Sequence, residues 1–470
     1  WDNMASFLAI SDGFLIRHRP SPSDEQNRRS DDLFRARLDQ IIRHNHPLVR
    51  LADAMPWDSI VEQVADLLPP TPEGAGRASL PVRMMVGLLY LKYAYNLSDD
   101  QVLERWLESP YMQYFTGEVY FQHELPCDPS SLTRWRNRLD EAGAEELLAQ
   151  TIEAAKTLKA IRPRELRVVS IDTTVQEKNI AHPTDSRLLE VARAKLAERV
   201  AEAGIKLRQS YARTGPRLNR QAGRYAHARQ YKRMRRVIKR QRTIVGRLLR
   251  DIDRKATPEQ MTQLAQTMHR AQRLKEQKPK GKNKLYAFHA PEVECISKGK
   301  ARQPYEFGVK ASFAVTAHKG LIVGARSFPG NPYDGDTLAE QLEQTAILTD
   351  TPVKTALVDL GYRGREVHGV RILHRGKPKR MSKAEKRLLK RRQAVEPCIG
   401  HLKAVHRMLL NLLRGALGDA MNPILAAAGF NIRWLMRWLV VFWRWILSAV
   451  LRLLDQRGPD AGSNLKLTAA

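Results

Sequence analysis

Residues 167–174 have the sequence RVVSIDTT and mark the point where a helical pattern gives way to a strand pattern. Val168, Val169 and Ile171 are β-branched, which favours a strand, and Asp172 follows them directly. In an α/β sheet the ends of strands collect at one edge, where functional sites commonly form. We therefore predict a strand that ends with the Asp172 carboxylate at such an edge.

Further strand patterns follow only after a long interruption. Alternating apolar and polar residues, or short apolar runs, identify these segments, and a helical pattern lies among them. The predicted strands are 305–315, 321–326, 353–359 and 370–374, and the predicted helix is 336–348. The order of strand, insertion, two strands, helix, strand and helix is expected of an α/β fold with a ribonuclease-H-like mixed sheet.

Charge is the unusual property of the composition. The 470-residue chain has 79 Lys and Arg against 50 Asp and Glu, a formal net charge of +29. Residues 201–290 hold 25 Lys and Arg against 5 Asp and Glu, and residues 371–392 hold 11 against 1, so the rest is close to neutral. A regional excess of this kind is expected of a surface that follows a phosphate backbone. A solvated basic coil without a partner is the alternative.

The basic segment at 186–299 is predicted to be mostly helical because it is rich in Arg, Lys, Gln, Ala and Leu. Breaks are expected near Gly215-Pro216 and at Pro258. Three roles are open for this segment: gripping DNA, contacting a partner protomer, or forming a solvated helical hairpin. Its arginine density favours DNA, and its few aromatic residues argue against stacking on single strands.

A helical block precedes the first strand. It contains a capping box that begins at Ser98 and a helix start at Asp128. Arg134 and Arg136 lie on its last helix, so both are candidate DNA contacts. A helix-turn-helix module is one interpretation of this block and a plain helical bundle is the other.

The C-terminal region contains a Trp- and Leu-rich helix from Asn431 to Leu454. Arginines interrupt it, so it lacks the roughly 18 apolar residues that a membrane span needs. We expect a buried amphipathic helix with one stripe exposed to solvent or DNA, and no membrane partner. The predicted organisation is an N-terminal segment at 1–78, a helical DNA-binding domain at 79–160, a catalytic core at 161–185 and 300–420, the basic insertion at 186–299, and a C-terminal amphipathic helix and tail at 421–470.

Three carboxylates are candidates for the chemistry. Asp172 and Asp359 lie at the ends of predicted strands, and Glu396 lies on a predicted helix that begins at the Ser382 capping box and runs beyond Lys403. Cleaving or joining phosphodiesters needs stabilised charge on the attacking and leaving oxygens, which two Mg²⁺ ions about 4 Å apart supply when carboxylates hold them. We therefore predict that the three acids are catalytic and bind two metal ions.

Two cations accompany Glu396 on the predicted helix. Arg392 lies four residues before Glu396 and Lys403 lies seven residues after it. On a continuous helix this spacing places all three side chains within about 40° of one another. This arrangement suits a metal ligand with adjacent phosphate contacts, so both cations are candidate DNA-binding residues. Pro397 disfavours helical geometry at Glu396, so we expect a kink there, and a complete break would separate the shared face.

The spacing Arg392-x₃-Glu396-x₆-Lys403 is similar to the terminal motif of bacterial insertion-sequence transposases of the IS-five and IS-four types, in which the glutamate is the third catalytic acid. The sequences IDTT at 171–174 and VDLGY at 358–362 resemble the strands of the first and second aspartates. This resemblance covers roughly residues 79–430. It implies a DDE transposase with a ribonuclease-H-like fold, Mg²⁺ or Mn²⁺, and binding to terminal inverted repeats.

One position departs from the family pattern. A tyrosine usually precedes the motif arginine by three residues, and Leu389 stands there in this chain. Asp334 and Asp336 are competing carboxylates, although a loop and a helix cap explain them more simply. An inactive DNA-binding protein descended from a transposase and a different ribonuclease-H-like nuclease are therefore the alternatives to an active transposase.

The expected partners and compartment follow from the same properties. Double-stranded DNA, as terminal repeats and as target, is the expected partner, and joining two ends requires at least a homodimer. The three cysteines have no metal-type spacing and fit a reducing compartment, so we expect a cytoplasmic, nucleoid-associated protein. They are Cys127, Cys295 and Cys398.

Overall fold

The structure is a computed structural model that describes residues 36–69, 80–279, 281–297, 304–376 and 381–455. Parts of the predicted N-terminal segment, of the basic stretch at 371–392 and of the C-terminal tail lie outside those residues. The helices are α1 (Leu38–Ile41), α2 (Pro47–Ala54), α3 (Trp57–Leu67), α4 (Val82–Ala94), α5 (Asp99–Glu108), α6 (Pro110–Phe115), α7 (Pro129–Thr157), α8 (Pro163–Leu166), α9 (Asp185–Glu202), α10 (Thr214–His227), α11 (Tyr231–Lys255), α12 (Pro258–Glu276), α13 (Leu338–Thr349), α14 (Lys383–Leu389), α15 (Val395–Val405) and α16 (Gly415–Asp455). The strands are β1 (Val168–Lys178), β2 (Glu294–Ser297), β3 (Tyr305–Thr316), β4 (Ile322–Phe328), β5 (Thr355–Leu357), β6 (Arg371–Leu373) and β7 (Leu410–Asn411).

The strands form one mixed sheet. β3 lies antiparallel between β1 and β4, while β5 lies parallel between β1 and β6. The resulting order is β4-β3-β1-β5-β6, with β2 added beside β3 and β7 beside β1. The predicted α/β class with a mixed sheet is confirmed.

Strand β1 is longer than the sequence pattern predicts. Asp172 is the fifth of its eleven residues, so the prediction of a strand that ends at Asp172 was wrong. The edge of β1 that faces away from β3 is paired only at its two ends. Residues 168–170 of β1 pair with β5, and residues 177–178 pair with β7. Among the described residues, the sheet is thus open beside Asp172, which places this carboxylate at a crevice all the same.

The neighbouring strand β3 is buried on both faces. The predicted alternation of a buried apolar face and a polar face was wrong, because the polar side chains Glu306, Lys310 and Ser312 are buried while Tyr305 at the start of the strand is exposed. Helix α13 packs on β3 and β4, and α16 packs on β4. Gly308 allows the close approach of β1, because a Cβ there would lie 1.9 Å from the backbone oxygen of Gln176.

Helix α16 is a core element. The stretch Gly415–Trp443 is long and apolar enough to cross a membrane, but 67% of its most apolar part is buried inside the protein. It packs on α4, α7 and β4, so the predicted burial holds as far as Leu439, but Val441, Phe442 and Trp443 are exposed. Pro423 lies within it and leaves the carbonyl of Asp419 without its helical donor, and the side chain of Gln176 on β1 donates to that oxygen at 3.2 Å.

The basic insertion folds around a hydrophobic core of its own. Helices α9 to α12 bury residues such as Leu196, Leu248 and Leu264 against one another. The predicted breaks are confirmed, with Gly215-Pro216 in the first turn of α10 and Pro258 at the start of α12. A break between α10 and α11, where Arg229 has a φ of 54°, was not predicted.

Candidate active site

Asp172 lies in a mostly buried position. Its side chain is 21% exposed, and its Oδ1 accepts a hydrogen bond from the backbone N–H of Thr173 at 2.8 Å. Burial raises the pKa of this carboxyl to about 6, and the negative charges of Asp359 and Glu396 add to that rise, whereas the Thr173 N–H and Arg392 oppose it. Asp359 and Glu396 therefore each lie within electrostatic reach of Asp172.

Asp359 follows strand β5 by two residues and caps a 3-10 turn at Leu360–Tyr362. Its Oδ1 accepts from the backbone N–H of Gly361 at 2.8 Å. A Cβ added to Gly361 would lie 2.9 Å from Asp359 Oδ1 and 3.5 Å from Asp334 Oδ2. Two carboxylates thus converge on the backbone of this turn, and a side chain at position 361 would crowd them.

Arg392 links two of the predicted acids. Its guanidinium lies 3.9 Å from Asp172 Oδ2 and 3.3 Å from Glu396 Oε1. The side chain of Arg392 is only 12% exposed, while that of Glu396 is 61% exposed. Arg392 is therefore a buried cation held between two carboxylates that come from distant parts of the chain.

The helix that carries Glu396 is not continuous. Residues Lys390–Ala394 form a 3-10 turn and α15 begins at Val395, so Pro397 occupies the first helical turn, where a missing N–H costs no hydrogen bond. Arg392 and Glu396 remain in contact across this junction. Lys403 lies half-buried near the end of α15.

Asp334 is a fourth acid beside the site. Its Oδ1 accepts from the Thr173 hydroxyl at 2.9 Å and from Lys310 Nζ at 2.8 Å. Because Lys310 neutralises it and Thr173 adjoins Asp172, Asp334 is placed to position β1 at the site. The competing residue Asp336 instead forms an ion pair with Arg365 at 2.5 Å.

Tyr362 is a site residue to which sequence reasoning assigned no role. Its side chain is fully buried. Burial raises the pKa of its phenol well above the ordinary range, and Asp172, Asp334 and Asp359 raise it further. The residue therefore packs beneath the acids as a neutral phenol. In the sequence its position after Leu360-Gly361 does not distinguish it from an ordinary core tyrosine.

The donor set fits a divalent cation in its chemistry. Mg²⁺ and Mn²⁺ prefer carboxylate oxygens, and the pKa of Asp172 is raised first by burial and then by the charges of Asp359 and Glu396, which a cation would offset. Across the described ranges, however, no three His, Cys, Asp or Glu side chains lie close enough to hold a metal. The carboxylates are of the kind that such an ion prefers, but with the Arg392 guanidinium between two of them they do not lie close enough together here to hold one.

The predicted DNA contacts of the helical block have different surroundings. Arg134 is exposed and donates to the hydroxyls of Ser130 and Ser131. Arg136 is buried and donates twice to the Asp99 carboxylate, both at 2.7 Å. The Arg136 guanidinium is thus occupied in a structural ion pair, and only Arg134 presents its charge to solvent.

Leu389 occupies the position that departs from the family pattern. It packs with Leu388 against a small apolar cluster of Ala317, Leu357 and Leu373. This cluster lies beneath the end of β5, two residues before Asp359. The side chain at position 389 therefore supports the strand that leads to Asp359 by apolar contact.

One family model and one curated protein match this chain. Residues 36–138, which run from before α1 into α7, match the family model described as "Transposase domain (DUF772)". A Rhizobium meliloti protein, named "Uncharacterized protein ORF8 in nfe locus", is 49% identical over 214 residues. That match covers 45% of this chain and 100% of the relative. No solved structure matches the chain.

Proposed function

We propose that this chain, which belongs to a transposase-related family, is a DNA transposase that cleaves and joins DNA through Asp172, Asp359 and Glu396. The observation that carries the proposal is the meeting of these acids. One comes from the middle of β1, one from the turn after β5 and one from α15, and the charges of the second and third raise the pKa of the first. A carboxylate in a crevice whose pKa is raised by burial and altered by specific charge partners is a candidate for chemistry.

The strand order supports a ribonuclease-H-like core. Three antiparallel strands, β1, β3 and β4, are followed by β5 and β6, which run parallel to β1 on its other side. In such a sheet the crevice lies where the connections change direction, beside the carboxyl end of β5. Asp359 follows that end directly, and Asp172 borders the same opening.

The chain's own residues have distinct parts in the proposed reaction. Two Mg²⁺ or Mn²⁺ ions, when held by the three acids, would stabilise charge on the attacking and leaving oxygens. Asp172 must lose its proton before it can hold a cation, and its raised pKa makes that step dependent on pH. Arg392 would leave its two carboxylates and turn its charge to a DNA phosphate, with Lys403 as a further phosphate contact.

The proposed partners are terminal inverted repeats and target DNA, bound by a homodimer so that two ends are joined together. One observation favours the alternative of an inactive DNA-binding protein. Arg392 already neutralises two of the three acids, which would suit a site that no longer binds metal. A different ribonuclease-H-like nuclease would cut DNA or an RNA hybrid without joining ends.

A strand-transfer assay tests the proposal. Labelled duplexes that carry the terminal repeats of the element are incubated with the full chain and Mg²⁺. We expect joined products from the native chain, their loss on chelation of the metal, and at least about a 10²-fold decrease for Glu396→Gln, because a neutral amide holds a cation weakly. Glu343→Gln, on the exposed face of α13, is the matched control and should retain full activity.

Three results would contradict the proposal in different ways. Duplex binding without cleavage by the native chain would favour the inactive DNA-binding protein. Cleavage without joined products would favour another nuclease. Equal strand transfer by Glu396→Gln and the control would remove Glu396 from the site.

A further inference from the structure

One face of helix α11 carries a row of exposed cations. The opposite face, with Val245 and Ile252, is buried in the core of the insertion. The exposed residues recur every three or four positions, which places them in one stripe along the helix. The members of this stripe are Arg236, Arg240, Thr243, Arg247, Arg250 and Arg254.

Most of these cations have no acidic partner. Within the part of the chain that the structure describes, Asp251 pairs with Arg254, but no Asp or Glu lies within 4 Å of the Arg236, Arg240, Arg247 or Arg250 guanidinium. Helix α9 of the same insertion shows the contrast, because its exposed Lys195 and Arg199 pair with glutamates three residues further on. The stripe on α11 therefore concentrates positive charge that the protein itself does not neutralise.

A loop turns the stripe into a groove. Two adjoining depressions of about 550 and 600 Å³ lie between α11 and the segment 208–214, and both are lined by Tyr211 and Arg247. The backbone N–H of Arg208 donates to the buried Asp251 carboxylate at 2.8 Å, which fixes the loop to α11. Tyr211 has a φ of 56°, unusual for a bulky residue, and its hydroxyl lies 3.4 Å from Arg247.

We propose that this α11 groove, formed by the stripe and the segment 208–214, binds the phosphate backbone of duplex DNA at a distance from the three acids. Arg236 and Arg254 are about 27 Å apart along the helix at 1.5 Å per residue, somewhat less than the 34 Å of one DNA turn. The stripe is therefore shorter than one turn of a duplex, so its cations can act together on the phosphates within that turn. The choice of DNA as the partner rests on the proposed function.

Salt-dependent binding of the full chain to a random-sequence duplex of about 30 base pairs tests this surface. Each lost phosphate contact should make the slope of log K against log salt shallower by about 0.9, so Arg240→Gln/Arg247→Gln should change it by about 1.8. If the native chain and this double variant bind equally at 1 M salt, a change of slope of about 1.8 corresponds to roughly 30-fold weaker binding by the variant at 0.15 M salt. Lys195→Gln/Arg199→Gln removes the same charge from α9 and should leave the slope close to native.

The outcomes separate this inference from the proposed function. An equal change of slope in the α9 and α11 variants, or none in the α11 variant, would overturn the role of the groove, even if the native chain joins ends. Binding that depends on α11 without any joined product would support the groove and count against the transposase. Arg240→Lys/Arg247→Lys keeps the charge and should recover most of the slope, which also excludes misfolding as the cause.

Discussion

Asp172→Asn is expected to lower strand transfer by at least about 10³-fold while duplex binding stays close to native. The substitution keeps the size of the side chain and its hydrogen bond from the Thr173 N–H, but it removes the negative charge from the centre of the acid cluster. The α11 groove lies in the insertion and does not include this residue, so the affinity for DNA should be retained. Single-turnover assays and equilibrium binding on the same labelled duplex measure the two quantities.

Asp172→Asn should lower strand transfer but raise the stability of the folded protein. In the metal-free protein burial raises the pKa of Asp172 from 3.8 to about 6, so ionisation disfavours the folded state. The cost is absent below pH 4, grows between pH 4 and 6, and stays constant above pH 6. Two pKa units correspond to about 3 kcal/mol, so Asp172→Asn should raise the free energy of unfolding by up to that amount at pH 7.

Urea unfolding of the metal-free chain at pH 4 and pH 7 measures this effect. The exposed Asp350→Asn is the matched control and should show a similar free energy of unfolding at both values. A loss of stability in Asp172→Asn at pH 7 would mean that the carboxylate is stabilised by its surroundings, contrary to a cluster of mutually repelling acids. Full strand transfer by the variant would remove Asp172 from the catalytic set.

Asp99→Ala is expected to destabilise the protein by about 3–5 kcal/mol, because it leaves two buried cations without their counter-ion. The Asp99 carboxylate accepts hydrogen bonds from both terminal nitrogens of Arg136, each at 2.7 Å, and from Lys92 Nζ at 2.8 Å. Burial by itself would raise the pKa of Asp99, but Arg136 and Lys92 outweigh it and hold that pKa below its ordinary value. The ion pairs join α4, α5 and α7, so their loss affects the whole helical block.

The adjacent residue provides the control for this prediction. Asp100 is exposed at the same helix start, and Asp100→Ala should cost well under 1 kcal/mol in urea unfolding. Removing all three charges with Lys92→Met and Arg136→Met in the Asp99→Ala background should recover most of the lost stability. Equal stability of Asp99→Ala and Asp100→Ala would show that the buried cations reach solvent without cost.

Features encoded by neighbouring residues were predictable from the sequence. The capping boxes at Ser98 and Ser382 form as expected, because each needs only a hydroxyl and a side chain three residues later. The order of strands and helices follows from the period of apolar residues. The catalytic trio of Asp172, Asp359 and Glu396 stays a prediction from strand ends and a family motif, and in the structure Asp359 and Glu396 each act electrostatically on Asp172.

Features that depend on distant residues were not predictable. The length of β1 follows from its pairing with β3, which extends the strand past Asp172. Arg136 appears in the sequence as one of several exposed arginines, and only the fold places Asp99 against it, 37 positions away. The tie between Asp334 and Lys310 likewise depends on tertiary contacts, because it lies between β3 and the turn before α13.

The place of the insertion in the chain has a consequence for how the protein reaches its folded state. The central strands β1 and β3 pair through residues such as Glu177 and Gly308, and the entire insertion lies between them. Closing so long a flexible loop slows the formation of such a pair, because entropy is lost before the contacts are gained. Helices α9 to α12 have a core of their own, so their prior collapse would shorten the effective loop. We expect the insertion to fold first, after which β1 and β3 can pair.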